Sequence, residues 1–305
     1  MAFTLSKIKP SSQPGGRPPS AVELTAHGAI AAALPAAGGS LVYAFAPLAS
    51  GSLVPGIEEP NFRSPEAVAE AIRSALGRVS PRSRAVTLVL PDTLVRVFVL
   101  EFDSLPPKSA DAIQIIRFRL RKMVPFETEH AGVSYQILSQ TKSECKVLTA
   151  VIPGPILAEY EAAVRAAGYE PGAVLPSSLA ALETVQSMEA VLAINLTGSG
   201  ITTIIANGQD LLLYRTLDLP ADRSERDAEI SRSISVAAAY YEDKLGAPAR
   251  TLHYAANRAT EEFTTFVIEP ELTLVDLAPM PETGIMNSLG NESIAGVSGA
   301  LVGAR

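Results

Sequence analysis

Cysteine, tryptophan and histidine are scarce in this sequence, and their scarcity excludes several classes of protein. Cys145 is the single cysteine among 305 residues, so the chain can form no internal disulfide and no zinc site built on paired cysteines. The three histidines, His27, His130 and His253, are too far apart in sequence to predict a metal-ligand cluster. With 47% hydrophobic and 19% charged residues, the chain can nevertheless bury a large core.

A surplus of positive charge and a long apolar run are also missing. Lys and Arg number 25 against 32 Asp and Glu, and the net charge of −7 argues against a general nucleic-acid binder, which needs a basic footprint. The most apolar run, residues 29–37, is broken by Pro35 and is much shorter than the roughly 20 residues of a membrane-spanning helix. Residues 1–20 are rich in Pro, Gly and Ser without an acid, which predicts a flexible basic tail rather than a secretory signal. We therefore expect a cytoplasmic protein with no membrane span and no nucleic-acid partner.

Hydrophobic periodicity predicts blocks of mixed α/β structure along the remaining chain. The first block, about residues 21–91, contains three short strands, a helix that we expect to begin after Ser64 and end at Gly77, and a buried strand at 85–90. The second block, residues 92–171, alternates strands and helices in a compact αβ insertion.

The third block, residues 188–305, repeats the order of the first. Three strands joined by the turns Thr197–Gly200 and Asn207-Gly208 precede a long helix, which we expect to be capped by Ser224 and ended by Gly246. Two halves that each run strand, strand, strand, helix predict a duplicated α/β fold with a cleft between the halves.

The second block carries short motifs in a fixed order: Val89-Leu90-Pro91-Asp92, Val95-Arg96-Val97, Leu105-Pro106, Ile116-Arg117-Phe118, Met123-Val124-Pro125-Phe126 and Ser134-Tyr135-Gln136-Ile137-Leu138. In these motifs the sequence resembles the PilM family, the actin-like cytoplasmic proteins of type IV pilus assembly. Weaker matches extend the resemblance from about Ala21 to Arg305.

The resemblance implies an actin-like fold of two lobes, each with a ribonuclease-H-like core. Residues 21–91 and 172–187 would form the first-lobe core, 92–171 an αβ subdomain inserted in that lobe, and 188–305 the second lobe. Members of the family bind the cytoplasmic N-terminal peptide of the inner-membrane protein PilN in a groove between core and insertion, and many hold ATP between the lobes. The resemblance therefore implies a PilN-like partner, contacts with other pilus assembly platform proteins, and a peripheral location at the inner membrane.

The acidic residues that an actin-like nucleotide site requires are missing from their expected positions in this sequence. An acid at the end of each lobe's first strand would organise Mg²⁺, and turns rich in Gly, Ser and Thr would bind phosphate. Val22–Leu24 matches the end of the DIGSSSVKxVEL-like segment near the start of family members, which places the expected first-lobe acid near Ser11–Gln13, in proline-rich sequence. In the second lobe the acid is replaced by Asn195, which carries no charge for a cation.

The vestigial nucleotide site implied by the resemblance comprises Asn195, Thr197, Gly198, Ser199, Gly200, Thr202, Thr203, Ala255 and Ala256. Ala255-Ala256 stands where the family has a Gly-Gly turn beside the adenosine, and two added Cβ atoms narrow that place. Thr197–Gly200 is also compatible with a plain hairpin turn. We therefore expect no cofactor, no metal and no catalytic residue; the alternative is an active ATPase or sugar kinase holding ATP with magnesium in the interlobe cleft.

A cluster of cations interrupts this acidic chain at Arg117-Phe118-Arg119-Leu120-Arg121-Lys122. One interpretation is a solvated helix face. The other is a peptide-binding surface, because arginines offer fixed donors to an extended peptide whose apolar side chains supply the burial. On that interpretation, the groove between insertion and core is lined by Arg96, Phe98, Arg117, Phe118, Arg121 and Phe126.

Overall fold

The computed structural model describes residues 16–304 except 36–38, 59, 186, 188, 209, 257–259, 269–270, 279–291 and 303. Most of the predicted basic tail therefore lies outside the described residues. The helices in chain order are α1 (Pro65–Val79), α2 (Ser109–Leu120), α3 (Gly154–Ala166), α4 (Ser177–Leu182), α5 (Arg223–Leu245), α6 (Thr260–Thr264) and α7 (Ala295–Val302). The strands are β1 (Ser20–Thr25), β2 (Gly28–Ala33), β3 (Val42–Pro47), β4 (Ala85–Leu90), β5 (Arg96–Phe102), β6 (Gly132–Gln140), β7 (Cys145–Ile152), β8 (Glu170–Pro176), β9 (Val191–Leu196), β10 (Gly200–Asn207), β11 (Asp210–Asp218), β12 (Thr251–Ala255) and β13 (Thr273–Asp276).

Two five-stranded sheets have the same strand order and the same strand directions. The first runs β3-β2-β1-β4-β8 and the second runs β11-β10-β9-β12-β13. In each sheet the first strand in the chain pairs antiparallel with the second, and pairs parallel with the strand that follows the main helix. The duplicated α/β fold predicted from the sequence is therefore confirmed, and each sheet is the core of one lobe.

Alanine-rich strands form the first-lobe sheet because helices cover both of its faces. All six residues of β2, Gly-Ala-Ile-Ala-Ala-Ala, are buried. Ala29 and Ala31 belong to the hydrophobic cluster that includes α1, whereas Ile30 and Ala32 belong to the cluster that includes α7. Burial on both sides thus compensates for the weak β-propensity of alanine.

The third sheet, β5-β7-β6, is antiparallel and forms the insertion. One of its faces packs through Leu148 on the first-lobe core, and the other face, with Leu100 and Val147, is covered by α2. Helix α3 packs against α1 within the first-lobe core. We therefore propose that the insertion is confined to residues 96–152, a shorter range than the one expected from sequence.

Helix α1 ends later than the sequence predicts. It continues through Gly77, because Val79 is buried against the core, and its last turn is closed by the Ser80 N–H donating to the Leu76 carbonyl at 3.1 Å. Ser80 adopts a left-handed φ of 49°, a conformation that more often requires glycine. Tertiary burial of Val79 therefore overrides the helix-breaking tendency of Gly77.

Helix α5 begins at a different capping residue from the one predicted. Asp222, and not Ser224, is the N-cap, and its carboxylate accepts the backbone N–H of Glu225 at 3.0 Å. The predicted end of the helix at Gly246 is confirmed by the left-handed φ of 73° at that glycine. An aspartate at the N-cap also places negative charge at the positive end of the helix dipole.

Strand β8 is not predicted by the sequence pattern, because it contains Pro171, Gly172 and Pro176. Such residues are confined to edges and bulges of sheets. β8 is indeed the edge strand of the first-lobe sheet, and its parallel pairing with β4 shifts register between Val86 and Thr87.

Helix α7 completes the first lobe by packing on β1, β2 and α4. Seven of its eight residues are buried, which agrees with the absence of an amphipathic pattern in its sequence. Gly299 permits the close approach to α4, because a Cβ at this position would overlap the carbonyl oxygen of Ala180.

We predict that Gly299→Ala destabilises the protein by about 1–3 kcal/mol, because the added methyl group has to separate α7 from α4. Gly77→Ala is the matched control, since nothing lies within 4 Å of a Cβ at Gly77, and it should stabilise by about 0.5–1 kcal/mol through helix propensity. Urea denaturation of both variants measures the difference. Equal stabilities would contradict the close packing of α7 on α4.

Candidate functional site

The hairpins that open the two lobes are built by the same local interactions. In the β1–β2 turn, the Thr25 hydroxyl donates to the Gly28 carbonyl (3.2 Å), and in the β9–β10 turn, the Thr197 hydroxyl donates to the Gly200 carbonyl (3.1 Å). Each hydroxyl oxygen also accepts the N–H of the same glycine. Both turns line one cavity at the interlobe cleft. The two walls of this cavity are therefore turns with the same sequence pattern, Thr-x-x-Gly.

Two residues before each of these threonines, the first strand of the lobe carries a buried polar side chain. These residues are Glu23 in β1 and Asn195 in β9, exposed by only 4% and 3%. The position corrects the expectation from sequence, because Val22–Leu24 lies in β1, the first strand of the lobe, rather than beyond it. The first-lobe acid is therefore present as Glu23, while the expected location at Ser11–Gln13 lies outside the described residues.

The Asp92 carboxylate, which follows β4, connects the two lobes. One oxygen accepts the Ser178 backbone N–H (2.9 Å) and the Tyr214 hydroxyl (3.1 Å). The other accepts the Thr202 hydroxyl (3.0 Å), the Asn195 amide (3.2 Å) and the Ser178 hydroxyl. Burial raises the pKa of Asp92, and these donors oppose the rise. Since Thr202, Asn195 and Tyr214 lie in the second-lobe sheet, one buried carboxylate joins the first lobe, α4 and the second lobe.

A second carboxylate, that of Glu292 shortly before α7, lies between the two hairpin turns. Its Oε1 is 2.9 Å from His27 Nδ1 in the first turn and accepts the Gly198 N–H of the second turn at 3.2 Å. The hydrogen bond with Glu292 raises the pKa of His27. Arg226 donates to the Thr197 and Gly198 carbonyls. The chain's own carboxylate therefore bridges the turns that face each other across the cleft.

The Glu23 carboxyl group also has a perturbed pKa. Burial raises the pKa of Glu23 to about 8, and the carboxylates of Glu292 and Asp92 contribute to the rise. One oxygen of Glu23 is buried without a hydrogen-bond partner among the described residues. The cavity between the turns has a volume of about 10 Å³, which is room for about one water molecule. The space between the two turns is therefore small, and a pKa of about 8 favours the protonated form of Glu23 at neutral pH.

The structure divides the residues predicted for the nucleotide site into three groups. Those at the cleft and its second turn are Asn195, Thr197, Gly198, Ser199, Gly200 and Thr202. Thr203 lies on the opposite face of β10, and its hydroxyl donates to the Arg215 carbonyl at 3.4 Å. Ala255 packs in the cluster that includes α7, and Ala256 packs in the second-lobe core.

The charges of this arrangement differ from those that a magnesium nucleotide requires. Asn195 stands where a cation needs an acid, and its amide is already donated to Asp92. The Glu292 carboxylate between the turns would repel a phosphate group. Among the described residues, no group of three or more His, Cys, Asp or Glu could hold a metal ion.

The residues predicted to bind a peptide lie on the α2 side of the insertion. Phe98 and Phe126 pack, partly buried, in the cluster under α2 and therefore face α2 rather than the first-lobe core. Arg96 donates to a backbone carbonyl three residues earlier (2.9 Å). Arg117 donates to the Ala131 carbonyl (2.8 Å), and its Nε is buried without a partner among the described residues.

An open cleft of about 570 Å³ lies beside the end of α2. It is lined by Arg121, Val124, Pro125, Phe126, Glu127, Thr128 and Glu129. Arg121 and Arg117 are one helical turn apart. Phe118, in contrast, is 76% exposed on the outside of α2. The structure thus brings Arg117, Arg121 and Phe126 to one region and separates Phe118 from them.

Sequence reasoning missed four residues of the interlobe cleft: Glu23, His27, Asp92 and Glu292. A usable signal exists for the first two, since Glu23-Leu24-Thr25-Ala26-His27-Gly28 and Asn195-Leu196-Thr197-Gly198-Ser199-Gly200 share the pattern Leu-Thr-x-x-Gly. No local pattern indicates the other two, because Asp92 and Glu292 meet partners 86 to 265 residues away in the sequence.

Comparison with known proteins supports the fold. No family model and no curated protein matches the sequence. A chain of the PilM–PilN type IV pilus biogenesis complex matches with a TM-score of 0.73 and 18% identity, over 94% of this chain and 98% of that chain. The cytoplasmic domain of EpsL, an inner-membrane component of the type II secretion system of Vibrio cholerae, matches with a TM-score of 0.49 and 15% identity, over 88% and 91%. A Bacteroides thetaiotaomicron protein with an actin-like ATPase fold also has a TM-score of 0.49, with 10% identity over 99% and 98%.

The predicted resemblance to PilM is confirmed at the level of the fold, which is actin-like with two lobes. None of the described helices has the length and apolarity needed to cross a membrane.

We predict that Glu23→Gln makes stability less dependent on pH. Because the pKa of Glu23 is raised from 4.5 to about 8 on folding, the folded state holds a proton that the unfolded state releases, and wild-type stability falls as pH rises through this window. Between pH 5 and pH 7.5 the free energy of unfolding of the wild type should therefore fall by on the order of 3 kcal/mol more than that of the variant.

Urea denaturation at pH 5 and pH 7.5 measures this effect of Glu23→Gln. The matched control is Glu66→Gln, which alters an exposed carboxyl at the start of α1 and should keep the wild-type slope. The same slope in Glu23→Gln as in the wild type would contradict a protonated Glu23 in the closed cleft.

Proposed function

We propose that this protein is a scaffold of a type IV pilus assembly platform that binds the cytoplasmic N-terminal peptide of a PilN-like inner-membrane protein. The observation that carries the proposal is the fold match to a chain of the PilM–PilN complex, which extends over nearly the full length of both chains. Such a peptide would hold the protein at the inner membrane, where it meets other proteins of the platform.

The region around the end of α2 supplies the chemistry that an extended peptide requires. Arg117 lies one helical turn before Arg121 and donates to the Ala131 carbonyl, so it connects α2 to the chain segment that follows the cleft. Arg121 and Phe126 line the open cleft, and Phe126 offers apolar surface there. Glu127 and Glu129 add acceptors on the other wall, so this cleft favours a peptide with apolar side chains and at least one cation. We propose that this cleft is the peptide site, and that Arg96 and Phe98 of β5 contribute to it.

In this proposal nucleotide binding is weak or lost. The support is the Glu292 carboxylate between the two turns, the amide of Asn195 in place of an acid, and a cavity of about 10 Å³. An ATPase or sugar kinase would need a cation-binding acid at Asn195, and the fold alone does not establish either activity.

We predict that Arg121→Glu weakens binding of the partner peptide at least tenfold, because it reverses a charge on the wall of the cleft. The measurement is calorimetric titration with a synthetic peptide that corresponds to the cytoplasmic N-terminus of a single-span membrane protein encoded beside this chain. Arg119→Glu is the matched control. It makes the same charge change two residues away, about 200° around the helix, and should bind within twofold of the wild type. If Arg121→Glu binds like the wild type, the assignment of the cleft is wrong.

We also predict that a magnesium complex of a non-hydrolysable ATP analogue gives no calorimetric binding signal in the micromolar range. The informative comparison is Glu292→Gln, which removes the negative charge between the turns without removing the side chain. Weak binding that appears only in this variant would support the role of Glu292 in excluding phosphate. Micromolar binding by the wild type would contradict the loss of nucleotide binding.

A further inference from the structure

The outer face of α2 carries apolar side chains that the fold does not cover. Ala112, Ile116 and Leu120 are fully buried and define the inner face of the helix. Phe118 lies on the opposite side, because two residues on a helix are about 200° apart, and 76% of its surface is exposed. Ile115, one turn before it, is 40% exposed. This outer face, defined by Ile115, Phe118, Arg119 and Lys122, is therefore an apolar ridge bordered by cations.

The cations of this face have no acidic partner among the described residues. Neither Arg119 nor Lys122 takes part in an ion pair there. The acid of the first turn, Asp111, pairs instead with Lys108, and Glu127 and Glu129 lie in the cleft beyond the end of the helix. The chain as a whole has a net charge of −7. A negatively charged partner is therefore attracted by this local patch of cations and repelled by the rest of the surface.

We propose that the outer face of α2 docks on an anionic phospholipid surface. A bilayer interface accepts a protruding aromatic side chain among its acyl chains, and its phosphate groups pair with the lysine and arginine beside it. The face is convex, whereas a protein partner that received Phe118 would have to provide a matching groove. The inference goes beyond the proposed function and does not depend on it, because the cleft of Arg121 and Phe126 takes no part.

Binding through this face is weak and reversible. A single aromatic side chain and two cations give much less membrane affinity than a lipid anchor. The face therefore orients the protein on a membrane to which another contact holds it. That other contact raises the effective concentration of the face at the membrane, so the two contacts together bind more tightly than either alone.

The test is co-sedimentation of the full chain with vesicles, in the absence of any partner peptide. We expect binding to vesicles of phosphatidylcholine with 40% phosphatidylglycerol, and at least tenfold weaker binding to pure phosphatidylcholine or in 0.5 M NaCl, because salt screens the cations. Phe118→Ser and the double variant Arg119→Glu/Lys122→Glu should each lower the vesicle partition coefficient at least tenfold.

Matched controls make the same changes on the exposed side of α5. Val236→Ser removes an apolar side chain that is 48% exposed, and Arg223→Glu/Lys244→Glu reverses two cations at the ends of that helix; both should bind vesicles like the wild type. The proposal is overturned if the wild type does not sediment with anionic vesicles, or if the α2 variants sediment as the wild type does. It is also overturned if those variants lose the partner peptide while the wild type ignores vesicles, since the face would then be a protein site.

Discussion

The buried carboxylate of Asp92 is the interaction on which the arrangement of the two lobes depends. It belongs to the first lobe by position, yet most of its donors come from α4 and the second-lobe sheet. A buried carboxylate is tolerated only where donors surround it, so the lobes cannot separate without exposing or orphaning these groups. Glu292 adds a second connection between the hairpin turns. The two buried carboxylates thus hold together groups from both lobes.

The two lobes have the same backbone topology but different polar residues at equivalent positions. Both first hairpins use Thr-x-x-Gly turns, and both first strands direct a polar side chain inward two residues earlier. One lobe carries Glu23 at that position and the other Asn195. The glutamate is buried with a raised pKa, and the asparagine serves as a donor to Asp92. The two equivalent positions therefore differ in chemistry.

Regular patterns along the chain made much of the fold predictable, and long-range contacts limited the rest. The strands of both lobes and the helices α1, α2 and α5 follow from periodicity and from glycine or proline punctuation. β8 escaped because its prolines and glycine are acceptable only at a sheet edge, which no local pattern reveals. For the cleft, the sequence predicts the turn at Thr197–Gly200, but the resemblance places the first-lobe acid near Ser11–Gln13 instead of at Glu23. The partners of Asp92 lie 86 to 122 residues away in the sequence, so its role required the folded chain.

Helix α7, near the carboxyl end, covers the strands with which the described chain begins. β1 and β2 bury one face against Ala295, Val297 and Ala300. During synthesis on the ribosome, that face of the first lobe has no cover until about 270 further residues have been translated. Ile30 and Ala32 of β2, which face α7 in the folded protein, then form an exposed apolar surface on a chain still emerging from the exit tunnel. The amino-terminal lobe therefore completes its packing only after α7 has been synthesised.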